Sequence, residues 1–220
     1  MTLDELVAAT YIVSTGKVSS LAFADTKYQK ILAIANNQIR VWQDTKGVDW
    51  SSLYERRHSI GTVSATDTFD LDDDIRKLSD TLGDYVAVIN GDIEQEYDVV
   101  PADTLSRYES GSKVCAQIGR TLVFRDAFTS SDPVYGGTVY VPVYLYAQEL
   151  TAAGDDVPVD IPQWLVLSTA AEYIRNDVTK QNQYPNLQQQ ANELMERMID
   201  DNDAQIITPQ QAWTPLGRSW

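Results

Sequence analysis

The chain has 220 residues and a formal net charge of −15, from 32 acidic against 17 basic side chains. That charge argues against proteins that hold nucleic-acid phosphates or anionic membrane surfaces by bulk attraction. With 43% hydrophobic and 10% aromatic residues, the composition argues against a disordered chain. A single cysteine, Cys115, leaves no disulfide framework and no thiolate metal cluster. Because we find no signal peptide and no membrane-spanning run, we expect a soluble protein made in a reducing cytosol.

Two helices are predicted before residue 48. Thr2 and Glu5 have the spacing of a capping box, which begins a helix over residues 3–14. A longer helix over residues 24–45 carries an apolar stripe, and Gly47 is placed to end it as a C-cap. The stripe consists of Tyr28, Ile31, Leu32, Ala35, Ile39 and Trp42.

From residue 48 to residue 159 the pattern changes to short β-rich runs separated by turn residues. Asn90-Gly91 lies between two such runs and predicts a hairpin with a type I′ turn. Gly119-Arg120 predicts a second hairpin. A long run over residues 138–148 alternates aliphatic and tyrosine side chains, and Pro142 within it indicates either an edge strand or a bulge.

Two further helices are predicted in residues 160–202, on either side of a break at Tyr184-Pro185. Their apolar positions are Trp164, Leu167, Ala170, Ala171, Ile174, Leu187, Ala191, Leu194 and Met198. Residues 203–220 have no helical pattern. The predicted fold class is therefore α+β: terminal helices (1–47 and 160–202) packed as a small helical bundle, an inserted antiparallel β-rich sub-domain (48–159), and an extended C-terminal tail.

Sequence motifs of catalysis are lacking. No nucleophile elbow, Walker loop or dinucleotide-binding glycine motif occurs, so we expect a protein that is not an enzyme and needs no cofactor. His58, the only histidine, is interpreted as a structural or surface residue. The acidic run Asp70–Asp74 does not fit an EF-hand, because Ile75 and Thr81 stand where glycine and glutamate are required. We expect an acidic loop there and no metal site, with weak cation binding as the alternative.

Acidic side chains recur at every second residue at Asp92, Glu94, Glu96 and Asp98, so they line one face of a strand. The simpler interpretation is a solvated sheet face. The alternative is a negatively charged wall that faces a channel. Glu94, Glu96 and Asp98, together with Glu109, are also candidates by position for a glycosidase-type carboxylate pair, which is a weaker hypothesis.

The last residues form an unusual chain end. Termini are commonly polar and mobile, whereas this one carries apolar and aromatic side chains beside an arginine. These residues are Trp213, Pro215, Leu216, Arg218 and Trp220. Tryptophan and arginine are enriched among the anchor residues of protein interfaces, so we interpret the segment as a docking tail. The alternative is a tail that folds back over the protein's own core.

The order of these features is similar to that of the head-to-tail adaptor (connector) proteins of tailed bacteriophages. Residues 68–78 resemble the family's Tyr-x-Leu-Pro-Asp-Asp-Phe-Arg-x-Leu segment, although Asp72 stands where the family has proline. Asn90-Gly91 is similar to the family's hairpin, and residues 139–146 resemble its late strand. Residues 161–198 resemble its C-terminal helices.

The resemblance implies a structural virion protein of the neck, at the portal vertex, assembled in the host cytoplasm. It implies a dodecameric ring beneath the portal that joins capsid to tail, with residues 213–220 docked on the portal protein. The β-rich segment would face tail nozzle, tube or fibre proteins. DNA would pass through the negatively charged ring without specific binding. The alternatives are a tail terminator or fibre-attachment module and, less favoured, a carboxylate-dependent glycan hydrolase.

Overall fold

The computed structural model describes residues 1–18, 20–79, 81 and 83–211, and their side chains as far as residue 204. These residues form four α-helices and eight β-strands, which confirms the predicted mixed α+β class. The chain divides into a helical unit, Met1–Ser52 with Ala147–Trp220, and a β unit, Leu53–Tyr146. The β unit is shorter at both ends than the β-rich segment predicted from the sequence.

Helix α1 spans Leu3–Thr15 and begins with the predicted capping box. The Thr2 hydroxyl accepts a hydrogen bond from the Glu5 backbone N–H, and the Glu5 carboxylate accepts one from the Thr2 N–H at 2.9 Å. These two bonds satisfy N–H groups that a helix start otherwise leaves without partners. Gly16, with a φ of 71°, ends the helix by donating to the carbonyl of Ile12.

Helix α2 spans Thr26–Gln43, and its predicted apolar stripe is buried. The prediction that Gly47 caps it is wrong, because the helix ends four residues earlier and Asp44 is its C-cap. The reason lies in Trp50, whose indole N–H donates to the carbonyl of Trp42 at 2.8 Å. The two indole rings stack with centroids 5.1 Å apart, and Gly47, with a φ of 83°, lies in the turn that brings Trp50 back over the helix end.

Helix α3 spans Pro162–Ile174 and is buried on nearly all sides. Helix α4 spans Tyr184–Gln211, so the prediction of an extended tail from residue 203 is wrong as far as residue 211. Asn202, the predicted last helical residue, does not terminate α4. Its side chain accepts from the Ser51 N–H at 2.8 Å and donates to the Asp49 carbonyl at 3.0 Å, and helix propagation continues beyond it.

The β unit contains one sheet in the order β1-β8-β4-β5-β6-β7-β2, with β3 also paired to β8. The pairs are antiparallel except for β5 with β6, which run parallel. The strands are β1 Tyr54–Thr62, β2 Thr68–Asp70, β3 Ile75–Leu78, β4 Val86–Asn90, β5 Ile93–Val99, β6 Val114–Ile118, β7 Thr121–Phe124 and β8 Thr138–Leu145.

Both predicted hairpins are confirmed. Asn90 pairs with Ile93 at the end of β4 and β5, and Ile118 pairs with Thr121 at the end of β6 and β7. The type I′ turn at the first hairpin is wrong. Gly91 has a φ of 58°, and no described residue other than glycine has a positive φ, which is the pattern of a type II′ turn.

Strand β8 lies inside the sheet, so an edge position for Pro142 is wrong and the bulge alternative is confirmed. On one side β8 pairs with β1 along its length, and the register of β1 shifts between Glu55 and His58, opposite Pro142. On the other side β8 pairs first with β4 and then with β3. Pro142 lies where these partners change, so its missing N–H breaks no ladder there.

The core of the β unit combines aliphatic side chains of β8 with four aromatic rings. Val139, Val141 and Val143 are fully buried. The rings of Phe69, Tyr97, Phe124 and Phe128 contact one another edge to face, with centroids between 4.8 and 6.3 Å apart.

Within the described part of the chain, no helix combines the length and the apolar character that a membrane crossing requires.

Candidate functional site

Strand β5 carries the acidic residues that the sequence singled out. Glu94, Glu96 and Asp98 are exposed, whereas Tyr97 between the last two is 5% exposed. Asp92 is exposed in the hairpin turn that precedes the strand. Because side chains of a strand alternate between its two faces, the three strand carboxylates share one face.

A basic neighbour reduces the charge of this acidic face at one end. Arg57 on β1 contacts the Glu94 carboxylate at 2.7 Å, and this hydrogen bond raises the pKa of the arginine. Neither Glu96 nor Asp98 has an ion pair with another described residue. The negative charge on this face of β5 is therefore concentrated in the C-terminal half of the strand, at Glu96 and Asp98.

A cleft of about 520 Å³ borders the same part of β5. Its lining residues include three acidic ones, Asp84, Glu96 and Asp98. The Tyr54 hydroxyl donates to Asp84 at 2.9 Å, and burial together with this contact raises the pKa of the tyrosine. The second carboxylate oxygen of Asp84 is buried without a hydrogen-bond partner among the described residues. The cleft is therefore acidic and would attract cationic groups rather than phosphates.

The cleft brings together two of the four carboxylates considered for glycoside chemistry. Glu96 and Asp98 line it, whereas Glu109 does not and Glu94 is paired with Arg57. A carboxylate pair for hydrolysis would therefore have to be formed by Glu96 and Asp98, which project from the same strand.

A second group of polar side chains forms where β1 meets the loop between β2 and β3. We call Glu55, His58, Asp72 and Asp74 the His58 cluster. Nδ1 of His58 is 3.0 Å from Glu55 Oε2, and Nε2 is 3.4 Å from Asp72 Oδ2 and 4.0 Å from Asp74 Oδ1. From the sequence, His58 and the acidic run Asp70–Asp74 are predicted to have separate structural roles. No local pattern joins them, because their proximity depends on how β1 and the loop are arranged around β8.

The carboxylates around His58 shift its protonation. Burial, the largest single effect, lowers the pKa of His58, because it disfavours the charged imidazolium. Hydrogen bonds to Glu55 and Asp72 and the charges of Glu55 and Asp74 together outweigh burial, so the pKa lies above its ordinary value of 6.5. The surrounding carboxylates therefore favour the protonated ring of His58.

Cys115 is buried on β6, and burial together with the charge of Asp98 raises its pKa to about 12. Its thiol is therefore protonated at neutral pH and poorly suited to metal binding or nucleophilic chemistry.

The predicted docking residues Trp213, Pro215, Leu216, Arg218 and Trp220 lie outside the described residues. The chain reaches them through α4, which ends at Gln211. Within its described side chains, α4 has buried positions at Ala191, Met198 and Asn202. These positions are seven and four residues apart, so they form one narrow stripe along the helix.

No protein-family profile matches the chain, and no curated protein is significantly similar to it.

Proposed function

We propose that this chain is a non-enzymatic head-to-tail adaptor of a tailed bacteriophage, which forms a ring beneath the portal and joins capsid to tail. In this proposal the terminal helices form a small bundle into which the β unit is inserted. The docking tail binds the portal protein, and the β unit faces tail or fibre proteins. The resemblance in the order of elements and motifs supports this assignment over other binding modules of the neck.

The observation that carries the proposal is the surface of α4. Among its side chains described as far as residue 204, only Ala191, Met198 and Asn202 are buried. The flanking apolar side chains are half-buried, namely Leu187, Leu194, Met195 and Ile199. A long helix is normally stabilised by packing of an apolar face, so apolar side chains that its own chain covers only in part are suited to contacts with another subunit. Adjacent subunits of a closed ring offer such contacts, because each subunit presents the same two surfaces to its neighbours.

The acidic face of β5 supports the passage of DNA. Repeated around a ring, the carboxylates of Glu96 and Asp98 would surround the axis with negative charge. A negatively charged surface repels phosphates, so duplex DNA would slide without being retained.

Assembly can be tested by measuring the mass of the purified full-length chain alone and after mixing with the portal protein of the same virus. We expect a monomer alone and multiple copies per portal ring in the mixture. A chain lacking residues 212–220, and the double variant Trp213→Ala/Trp220→Ala, should lose portal binding. The variant Glu96→Gln/Asp98→Asn serves as control and should bind the portal normally.

Two outcomes would contradict the proposal. One is a chain that stays monomeric with the portal under all conditions. The other is a tail deletion that binds as well as the intact chain. Electron cryomicroscopy of the virion separates the related alternatives, because a tail terminator or a fibre-attachment protein would not contact the portal.

The role of the acidic face has its own test in the assembled ring. The variant Glu96→Lys/Asp98→Lys should assemble on the portal but retain duplex DNA, with retention that decreases as salt rises. If DNA association is the same for the variant and the original ring, the face does not border the DNA path.

A further inference from the structure

We propose that Nε2 of His58 and the carboxylates of Asp72 and Asp74 bind one divalent transition-metal ion of the zinc class. One ligand atom from each of the three residues lies within 4.8 Å of the other two. Atoms that coordinate a tetrahedral zinc ion at ~2.1 Å are ~3.4 Å from one another. The separation of Nε2 from Asp72 Oδ2 is already 3.4 Å, and that from Asp74 Oδ1 is 4.0 Å.

Bringing the ligand atoms to the spacing of a zinc site requires movement only of side chains that are free to rotate. Asp72 and Asp74 are 57% and 58% exposed, so rotation of their carboxylates can bring the oxygens closer without disturbing the core. His58 is 15% exposed and is held by Glu55 at Nδ1. A carboxylate on the far ring nitrogen keeps the proton at Nδ1 and leaves the lone pair of Nε2 for a metal, which is the usual arrangement of metal-bound histidines.

The backbone that carries the two aspartates is fixed independently of the cluster. The Arg120 guanidinium donates to the carbonyls of Leu71, Asp72 and Ile75. The Tyr146 N–H donates to the carbonyl of Asp74 at 2.7 Å. His58 itself follows the bulge of β1 opposite Pro142, a feature that re-aims side chains. The backbone at all three ligand residues is therefore held in place, while the carboxylates of Asp72 and Asp74 can rotate towards an ion.

The ligand types favour zinc over calcium or magnesium. An imidazole nitrogen with two carboxylate oxygens suits zinc and its neighbours in the first transition row, whereas calcium and magnesium prefer oxygen ligands throughout. Three protein ligands leave one position for water. The ion would link β1 to the loop between β2 and β3 and so stabilise the β unit. This inference is independent of the proposed adaptor function.

The single histidine makes a direct experiment available. The full-length chain, labelled with 15N at histidine, is titrated with zinc chloride while the ring nitrogens of His58 are followed by NMR. We expect saturation at one equivalent, a shift at Nε2 caused by coordination, and a proton retained at Nδ1. The melting temperature should rise with zinc concentration, because a ligand that binds the folded state stabilises it.

Variants assign the ligands. Asp72→Asn and Asp74→Asn should each weaken zinc binding at least ~10-fold, and Glu55→Gln should weaken it by ~10-fold through its effect on His58. Calorimetry of His58→Gln should show no binding. Asp73→Asn is the matched control, because it removes the same charge from the same loop and should bind zinc as the original chain does. Circular dichroism verifies that each variant is folded.

Three results would overturn the site. The first is a His58 ring that does not respond to excess zinc. The second is equal weakening by Asp73→Asn and Asp72→Asn, which would indicate diffuse attraction to an acidic loop. The third is calcium binding as tight as zinc binding and unaffected by His58→Gln, which would indicate an all-oxygen site.

Discussion

The helical unit and the β unit connect distant parts of the chain through different groups. In the helical unit, side-chain amides make several of these connections: Asn36 bonds both backbone groups of Leu150 at 2.9 Å, and Gln43 accepts from the Ala147 N–H. Backbone bonds also join the start of α1 to residues 153–157, as from the Leu3 N–H to the Asp155 carbonyl at 2.9 Å. In the β unit, backbone ladders make most of these connections. Helices use most of their backbone groups internally, so side chains and the free N–H groups of a helix start remain to join one segment to another. A sheet joins segments through the backbone itself, which makes it sensitive to close approach.

The two units also carry different intrinsic reporters. All five tryptophans lie outside residues 53–146, whereas the single cysteine lies within them. Tryptophan fluorescence therefore follows the helical unit. Labelling of the buried Cys115 thiol follows the β unit, because the thiol reacts only when β6 is uncovered.

The largest expected effect is on the helical unit. Leu167 on α3 is 7% exposed, and Leu167→Asp places a charge without a partner in its interior. We expect a loss of about 4 kcal/mol or more in the free energy of unfolding. Urea denaturation followed by tryptophan fluorescence measures it. Leu167→Met, the size-conserving control, should lose less than about 1.5 kcal/mol. A variant with an unchanged midpoint would show that α3 is not part of a buried layer.

Removal of a core ring should affect the β unit nearly as strongly. Phe124 is 2% exposed and contacts three other rings. Phe124→Ala should cost about 3–5 kcal/mol and accelerate labelling of Cys115. Phe23→Ala is the control in the helical unit, since Phe23 is 41% exposed and contacts one ring, Tyr28. It should cost about 1 kcal/mol and leave the labelling rate unchanged. Equal labelling rates in the two variants would contradict the assignment of reporters.

Two glycines, one in each unit, differ in the space available for an added side chain. A Cβ on Gly137 would lie 2.5 Å from the carbonyl oxygen of Ile89, whereas one on Gly154 in the helical unit meets nothing within 4 Å. Gly137→Ala should therefore cost about 1–3 kcal/mol, because the backbones of β4 and of the segment before β8 must separate. Gly154→Ala should change stability by less than about 0.5 kcal/mol. The denaturation midpoints of the two variants give the comparison. Similar midpoints would contradict the prediction, because they would show that β4 can move away from the added methyl group without loss of stability.

The smallest effect is a dependence on pH in the β unit. Asp126 accepts from the Gly111 N–H at 2.7 Å, and this bond, with those from Ser110 and the nearby Arg125 and Lys113, lowers its pKa. A lowered pKa in the folded state stabilises the protein above the ordinary carboxyl pKa of 3.8. This stabilisation disappears as the pH falls through the lowered value. The free energy of unfolding of Asp126→Asn should therefore differ from that of the original chain at neutral pH and be similar to it in acid. A difference that stays constant with pH would contradict this.

The parts of the fold that local sequence determines were predictable. Thr2 with Glu5, the stripe of α2 and the glycines of both hairpins act within a few residues of their own position. The predictions failed where contacts with residues outside the local pattern determine where a helix ends. Trp50 ends α2 before Gly47, and Asn202 bonds residues 49 and 51 instead of ending α4.

The candidate sites divide in the same way. Alternation alone located the acidic face of β5, because the spacing of Glu94, Glu96 and Asp98 is a property of one strand. The His58 cluster could not be predicted, since it joins a residue of β1 to a loop through the pairing of both with β8. The pairing of Arg57 with Glu94 is equally non-local, and it alters the charge that the spacing alone implied.

The division of the helical unit between the two ends of the chain has a consequence for biosynthesis. The ribosome completes the whole β unit before α3 exists, so that unit can fold while translation continues. Helices α1 and α2 emerge first but contact α3 in the finished protein. Their apolar stripes therefore stay uncovered until the last quarter of the polypeptide has been made, and premature release of the nascent chain would leave those stripes open to aggregation.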